Sequence, residues 1–275
     1  VYKIQIKLCA NNNIYIAGHY TGTVDFDPGP SKAEHTGALD GYLVKFDSNG
    51  QFQWVRVWGD GSSQFDRKVG VDSSGDVYLA GEFEGTDIDF NGGPGIDLHS
   101  SNGSLDISLT KYDSAGNYLW TITFGGSLTE FIGGLAIDLT DSIILCGKFQ
   151  DTVDFNPGPG TESRSALGGY DIYTCKYSKD GAFQWVNALE GASFDESAWS
   201  VAVFDSRSVF VGGYFREQVD FNPGAGIDIR ESNGTADAFL TKYSASGAYQ
   251  WVRTWGGVLE DSVTDIVTDG SYNVY

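Results

Sequence analysis

Methionine is missing altogether from the 275 residues, and cysteine and histidine each occur only three times. Without even an initiator methionine, the chain is expected to be a processed or truncated product. Basic residues are also scarce. Seventeen Lys plus Arg against 37 Asp plus Glu leave a net charge of −20, a field that repels phosphate backbones and anionic membrane surfaces and argues against nucleic acid as a partner. No apolar stretch approaches the ~20 residues that a membrane-spanning helix needs, so no membrane insertion is expected. No basic-then-apolar leader opens the chain. Cys9, Cys146 and Cys175 show no CxxC or Cys/His spacing of a metal or redox site. Cys146 fills the slot of Ala17, Ala80 and Gly212, and Cys175 that of Val44, Thr110 and Thr241, so both read as small buried residues, with a Cys146–Cys175 disulfide left open.

What is abundant is repetition. Trp54, Trp120, Trp185 and Trp251 recur at spacings of 66, 65 and 66 residues, each closing a similar phrase: DGYLVKFDSNGQFQW, DISLTKYDSAGNYLW, DIYTCKYSKDGAFQW and DAFLTKYSASGAYQW. A second landmark, Ile14–Gly18, returns at Val77–Gly81, Ile143–Gly147 and Val209–Gly213. A third follows each of these: VDFDPGP, IDFNGGPG, VDFNPGPG and VDFNPGAG. The units run from about 1–60, 61–126, 127–191 and 192–257, with a partial copy at 258–275. A unit recurring at constant length is one supersecondary element that buries its apolar face against its neighbours.

Within a unit the apolar period is two, and glycine-bearing turns such as Asp72–Asp76 and Asp113–Asn117 punctuate short runs rich in β-branched and aromatic residues. The second unit reads as strands at Val69–Val71, Val77–Phe83, Ile107–Tyr112 and Tyr118–Phe124, with an excursion through Ile88–Phe90 and Asp97–Ser100. The fold class is therefore all-β, and a four-stranded antiparallel sheet of about 65 residues repeated radially is a β-propeller blade. A β-helix would need shorter coils and sandwich domains longer units. Four complete repeats and the start of a fifth are expected to be completed by further blades or a partner chain, or by pairing of Val258–Tyr275 with Val1–Ala10.

The segments VYLAGEFEGTDIDFNGG (77–93) and DISLTKYDSAGNYLW (106–120), with their counterparts, resemble the SBBP-type bacterial β-propeller repeats, and the D-x-x-G-x-x-x-W hairpin is similar to that of PQQ-type propellers. The resemblance covers residues 14–275. It implies a secreted or cell-surface bacterial protein and is nearly silent on activity, since a propeller scaffold hosts many functions. VYKIQIKLCA lacks the acidic run, such as Gln64–Asp66 or Phe194–Glu196, that precedes the first strand elsewhere.

Asp25, Asp89, Asp154 and Asp220, each followed two positions later by Asp27, Asn91, Asn156 or Asn222, form the leading candidate site. Paired oxygen donors before glycine are the hard ligands a Ca²⁺ ion takes, though such an ion wants six to eight of them. Aspartates in such a turn equally accept backbone N–H groups. A second recurring set is Lys45, Lys111, Lys176 and Lys242, always five after Asp40, Asp106, Asp171 and Asp237. Odd spacing puts the two on opposite strand faces, so each Lys is expected to meet an acid of a neighbouring strand or blade, with the Asp25-type residue as one option.

The recurring tryptophans read as packing. Trp199 does not recur, is expected to precede the first strand of its unit, and is the choice for an aromatic contact to a sugar. His19, His35 and His99 never pair at metal spacing, and His35 and His99 read as solvated. The seven arginines do not converge as a sialidase-like propeller requires, and the vicinal cysteine pair of PQQ-dependent dehydrogenases is absent. No nucleophile, base and acid come together. The expected role is a non-enzymatic extracellular binding or structural module with a protein or glycan ligand. The alternative is a hydrolase or lyase acting on polysaccharide from asymmetric loops.

Overall fold

The computed structural model describes residues 5–9, 11–59, 64–189, 191, 195–205, 207–269, 271 and 273–275, with the backbone alone at 64–67. Parts of the Val1–Ala10, Gln64–Asp66 and Phe194–Glu196 segments singled out above thus lie outside the described residues. The chain divides into two compact units, Val1–Phe124 and Gly125–Tyr275. Among the described residues there is no helix, and each unit holds two four-stranded antiparallel sheets.

In the first unit, sheet one joins β1 (Gln5–Leu8), β2 (Ile14–Asp25), β3 (Glu34–Phe46) and β4 (Phe52–Trp58) in that order. Sheet two joins β5 (Gln64–Val71), β6 (Val77–Phe83), β9 (Asp106–Tyr112) and β10 (Tyr118–Phe124), with a two-stranded ribbon of β7 (Ile88–Asp89) and β8 (Leu98–His99) between its middle strands. In the second unit, sheet three is β11 (Phe131–Ile137), β12 (Ile143–Phe149), β15 (Asp171–Tyr177) and β16 (Phe183–Leu189), with the ribbon β13 (Thr152–Asp154) and β14 (Ser163–Ser165). Sheet four is β17 (Ser197–Phe204), β18 (Ser208–Phe215), β21 (Asp237–Ser244) and β22 (Tyr249–Trp255), with the ribbon β19 (Gln218–Asp220) and β20 (Ile229–Glu231). Strand bounds in sheet two match the sequence reading at β6 and β10; β9 starts one residue earlier, and β5 starts five earlier and carries a bulge between Asp66 and Lys68. The bulge hides the period-two signal from that stretch.

Strand pairing repeats with the sequence. Tyr15, Tyr78, Ile144 and Phe210 lie opposite Lys45, Lys111, Lys176 and Lys242, and these lie opposite Trp54, Trp120, Trp185 and Trp251. Directly opposed residues share a sheet face, so each sheet carries one row of residue, lysine and tryptophan. The flanking rings sit 6.0, 6.1 and 6.1 Å apart in sheets one, two and four, and the lysine ammonium lies 5.3, 4.8 and 5.5 Å from the inner ring. Each of these is a cation–π contact.

Within each unit these rows lock one sheet to the next. Lys45 Nζ donates to the Ser114 carbonyl (2.6 Å) and Arg56 Nε to that of Gly116 (2.6 Å), both in the β9–β10 turn. In the second unit Trp185 Nε1 and Lys176 Nζ reach the Ala245 carbonyl (3.1 and 3.4 Å), while Asn187 Nδ2 reaches that of Gly247 (2.8 Å). The receiving turn is itself fixed, because Asp113 Oδ1 accepts the N–H groups of Ala115 and Asn117. The sheets also share cores. Tyr15, Ala17, Leu43 and Trp58 pack with Val69, Leu79, Phe83 and Phe90, and Ile144, Cys146, Ile172 and Leu189 pack with Ala198, Val211, Phe215 and Phe239. The strands β6, β9 and β15 are buried at every position, whereas β10 and β16 keep exposed ones.

Cys9, Cys146 and Cys175 are free thiols. Cys175 pairs with Leu145 and Cys146 with Thr174. That offset of one residue turns the two cysteines to opposite faces of the sheet, so the disulfide left open by the sequence does not form. Segment 263–275 packs on sheet four through Val263 and Ile266 and turns back on itself, with Val267 and Tyr275 exchanging backbone hydrogen bonds at 3.1 and 2.9 Å.

Two glycines test the interlock. Gly116 (φ +81°) would bring a Cβ to 2.8 Å from the Trp54 indole, whereas at Gly50 (φ +75°), the same turn position in sheet one, a Cβ meets nothing within 4 Å. Both substitutions to alanine carry the left-handed penalty of about 1–2 kcal/mol. Only Gly116→Ala adds an overpacking cost of about 1–3 kcal/mol. Urea unfolding is expected to rank Gly116→Ala below Gly50→Ala by that margin, and equal losses would remove the interlock from the account.

Candidate functional site

The Asp25-type residues make the same contacts in all four repeats. Asp25 Oδ1 accepts the N–H of Asp27 (3.1 Å) and Ala33 (2.9 Å), Asp89 Oδ1 those of Asn91 and Asp97 (both 2.9 Å). Asp154 Oδ1 takes Asn156 (3.0 Å) and Glu162 (2.8 Å), and Asp220 Oδ1 takes Asn222 (3.0 Å) and Asp228 (2.9 Å). The second residue turns the chain again, as Oδ1 of Asp27, Asn91, Asn156 and Asn222 accepts the N–H of Gly29, Gly93, Gly158 and Gly224 at 2.7–3.0 Å. These are two Asx turns in series. The Ala33 and Asp27 hydrogen bonds hold the Asp25 carboxyl below the usual carboxylate range.

The turns drive Phe26, Phe90, Phe155 and Phe221 inward, where each meets an aromatic ring of the second strand edge-on at 5.1–5.4 Å. Tyr112 and Tyr177 then donate to the Phe90 and Phe155 carbonyls (3.1 and 2.8 Å). As a Ca²⁺ cradle, each turn supplies one aspartate and one Asp or Asn whose Oδ1 atoms are already engaged, short of six to eight oxygens. Among the described residues no three His, Cys, Asp or Glu side chains converge.

Lys111 and Lys176 find acids on a neighbouring strand's turn, not of the Asp25 type; no such pair forms for Lys45 among the described residues. Lys176 Nζ pairs with Asp138 Oδ2 at 2.7 Å, and Lys111 Nζ with Asp76 at 3.1 Å and Asp72 at 3.5 Å. These acids sit in the turn between the first and second strands of the same sheet. Burial opposes the Asp138 charge, but Lys176, Thr140 and Ser142 together hold its carboxyl below the usual range. Cys9 and Phe204 occupy the Asp72 slot in the other two repeats, which is why Lys45 reaches for the carbonyl of Ser114 instead.

The aspartates five before the lysines serve different partners. Asp106, Asp171 and Asp237 brace the loop entering the third strand by accepting the N–H of Asn102, Leu167 and Asn233 (3.0, 2.8 and 3.1 Å). Burial pushes the Asp106 carboxyl up to about 6. Between sheets three and four, Asp171 also accepts the N–H of Gly191 at 3.1 Å and lies beside Glu196. Burial first, then the Asp171 charge, pushes the Glu196 carboxyl up to about 9. Neither Glu196 side-chain oxygen has a hydrogen-bond partner, and burial beside the Asp171 charge favours its protonated form. The second repeat has Gln64 at the corresponding position, a neutral residue of the same shape.

Trp199 lies within β17, at the bulge between Ala198 and Ser200, rather than ahead of the strand. Its ring meets Tyr214 edge-on at 5.7 Å, and both line a small cavity with Arg216, Glu260 and Asp261. His99 is not solvated as read from sequence, since it bridges Asp97 Oδ2 (3.0 Å) and Thr123 Oγ1 (3.3 Å).

Two measurements check these assignments. Asp154→Ala removes both turn bonds and is expected to cost about 2 kcal/mol, whereas Asp154→Asn keeps the acceptor and costs under about 1; the unfolding midpoint is expected to be the same in chelator and in millimolar Ca²⁺, and a rise with Ca²⁺ would put the ion in the turns. For Glu196, the folded chain holds a proton up to about 9 that the unfolded chain releases near 4.5. The favourable contribution is therefore complete below the lower value and disappears as pH rises through the upper one. Glu196→Gln is expected to match the parent near pH 5 and exceed its stability by at least about 1 kcal/mol near pH 9. A gap independent of pH would contradict the protonated pair.

No family model matches the chain. It is 24% identical over 247 residues, 80% of its length, to a protein of Acanthamoeba polyphaga mimivirus described as an uncharacterized WD repeat-containing protein, of which the match covers 17%. It is also 28% identical over 268 residues, 92% of its length, to the regulatory protein FlaEY of Caulobacter vibrioides, of which the match covers 27%. The chain thus spans less than a third of either relative. No helix among the described residues is long and apolar enough to cross a membrane. Repeated four-stranded antiparallel sheets and the likeness to a WD repeat-containing protein agree on an all-β repeat architecture consistent with a propeller.

Proposed function

We propose that the repeats are blades of a β-propeller of the SBBP-like kind and that the protein is a non-enzymatic binding module at the cell surface or outside the cell. One observation carries the reading: the recurring polar side chains serve the scaffold, whereas the side chains that break the repeat gather around Trp199. The Asp25-type carboxylates close turns, Lys45, Lys111 and Lys176 meet turn acids or carbonyls, and the buried Asp171 braces loops. Trp199 corresponds to Gly133, Tyr214 to Lys148 and Arg216 to Gln150 in the preceding repeat. A scaffold position tolerates the same residue in every copy, while a ligand meets one place and selects residues there. The relatives, described as WD repeat-containing and as regulatory, are in keeping with a protein that works by contact, with a protein or glycan as ligand. The acidic surface is compatible with a secreted location.

The test sets binding against turnover. Incubated with a panel of polysaccharides, the protein is expected to release neither reducing ends nor unsaturated uronic ends while being retained by at least one protein or glycan ligand. Turnover lost in Glu196→Gln or in a variant at Trp199 would replace the module with an enzyme.

A further inference from the structure

The notch around Trp199 has a composition that selects among ligands. Trp199 is 41% exposed although aromatic, and it stands at right angles to Tyr214. Arg216 lies 5.7 Å above the Tyr214 ring and binds Glu260 Oε1 through Nη2 at 2.7 Å. Its Nε is buried and donates to nothing. The far wall is fixed, since Glu260 bridges to Ala236, Asp261 N–H donates to the Ala236 carbonyl (2.9 Å), and Asp261 Oδ2 accepts the N–H of Gly257 (2.8 Å). The enclosed space is about 150 Å³, below the ~300–1,000 Å³ of a drug-sized pocket.

We infer that this notch binds one pyranose ring of a neutral glycan chain, an inference that rests on the binding reading above. An exposed indole offers a flat apolar face to the axial C–H groups of a sugar. Beside it, Arg216 and Glu260 form a planar fork of donors and acceptors matched to vicinal hydroxyls. Charge excludes the alternatives. An anionic ligand meets Glu260 and Asp261 on a chain of net charge −20, and Arg216 is already neutralised by Glu260. A cationic ligand meets Arg216 itself. A neutral polyol pays neither cost. The small volume admits a single ring, with the rest of the chain running over the open surface.

Titration calorimetry with cellohexaose, xylohexaose, mannohexaose, laminarihexaose and chitohexaose tests the inference, with oligogalacturonate as the anionic control. At least one neutral hexasaccharide is expected to bind, to quench tryptophan fluorescence, and to lose tenfold or more in affinity with Trp199→Ala. The exposed Glu260→Ala is expected to weaken the same ligand severalfold, and circular dichroism confirms that each variant is folded. Binding of a neutral glycan that both variants leave unchanged would overturn the notch while leaving the module reading intact. Binding of the oligogalacturonate alone, or of no glycan at all, would overturn the neutral-glycan assignment; retention of a protein ligand would then still uphold the module.

Discussion

The structure depends on a contact between a side-chain row and a backbone turn. In each unit, the lysine and tryptophan of one sheet, with the residue two after the tryptophan, approach the turn before the last strand of the next sheet, where carbonyls point outward because the turn has curled its N–H groups onto its own first side chain. A carbonyl left uncovered between stacked sheets would lose its water without replacement, at a cost of about 1–3 kcal/mol. Within each unit, the tryptophan end of one sheet's D-x-x-G-x-x-x-W phrase thus meets the glycine end of the next sheet's.

The same economy governs the acidic residues. An excess of carboxylates is costly to stack in close-packed sheets, and each class found a different solution. The Asp25-type groups turn outward into loops and are satisfied by backbone N–H donors. Asp138 is neutralised by Lys176. Burial beside Asp171 favours the protonated form of Glu196.

A scaffold built this way leaves function to exceptions. The lysine and tryptophan row recurs with its repeated geometry, while residues near the first and second strands differ between repeats. There the third repeat places Phe131, Lys148 and Tyr170, with the lysine ammonium 3.8 Å from the Tyr170 ring, and the fourth places Trp199, Tyr214 and Arg216. Variation at equivalent edges of one frame is how a repeat architecture acquires a specific surface without altering its core.

The repeat length, the strand bounds of the second repeat, the row containing Trp54 and its equivalents, and the closed turns at Asp25 and Asp154 were all legible in the sequence, because each rests on local period or on side chains within a few residues of their partners. Trp199 stood out because it broke the repeat. What sequence could not supply was pairing across strands and sheets. It did not assign Lys176 to Asp138, 38 residues away, nor turn Cys146 and Cys175 to opposite faces, nor bring Glu196 against Asp171. It also did not set Arg216 and Glu260 beside Trp199. Those contacts depend on register and on which sheet faces which, quantities that the long-range packing of the chain decides and that no local pattern encodes.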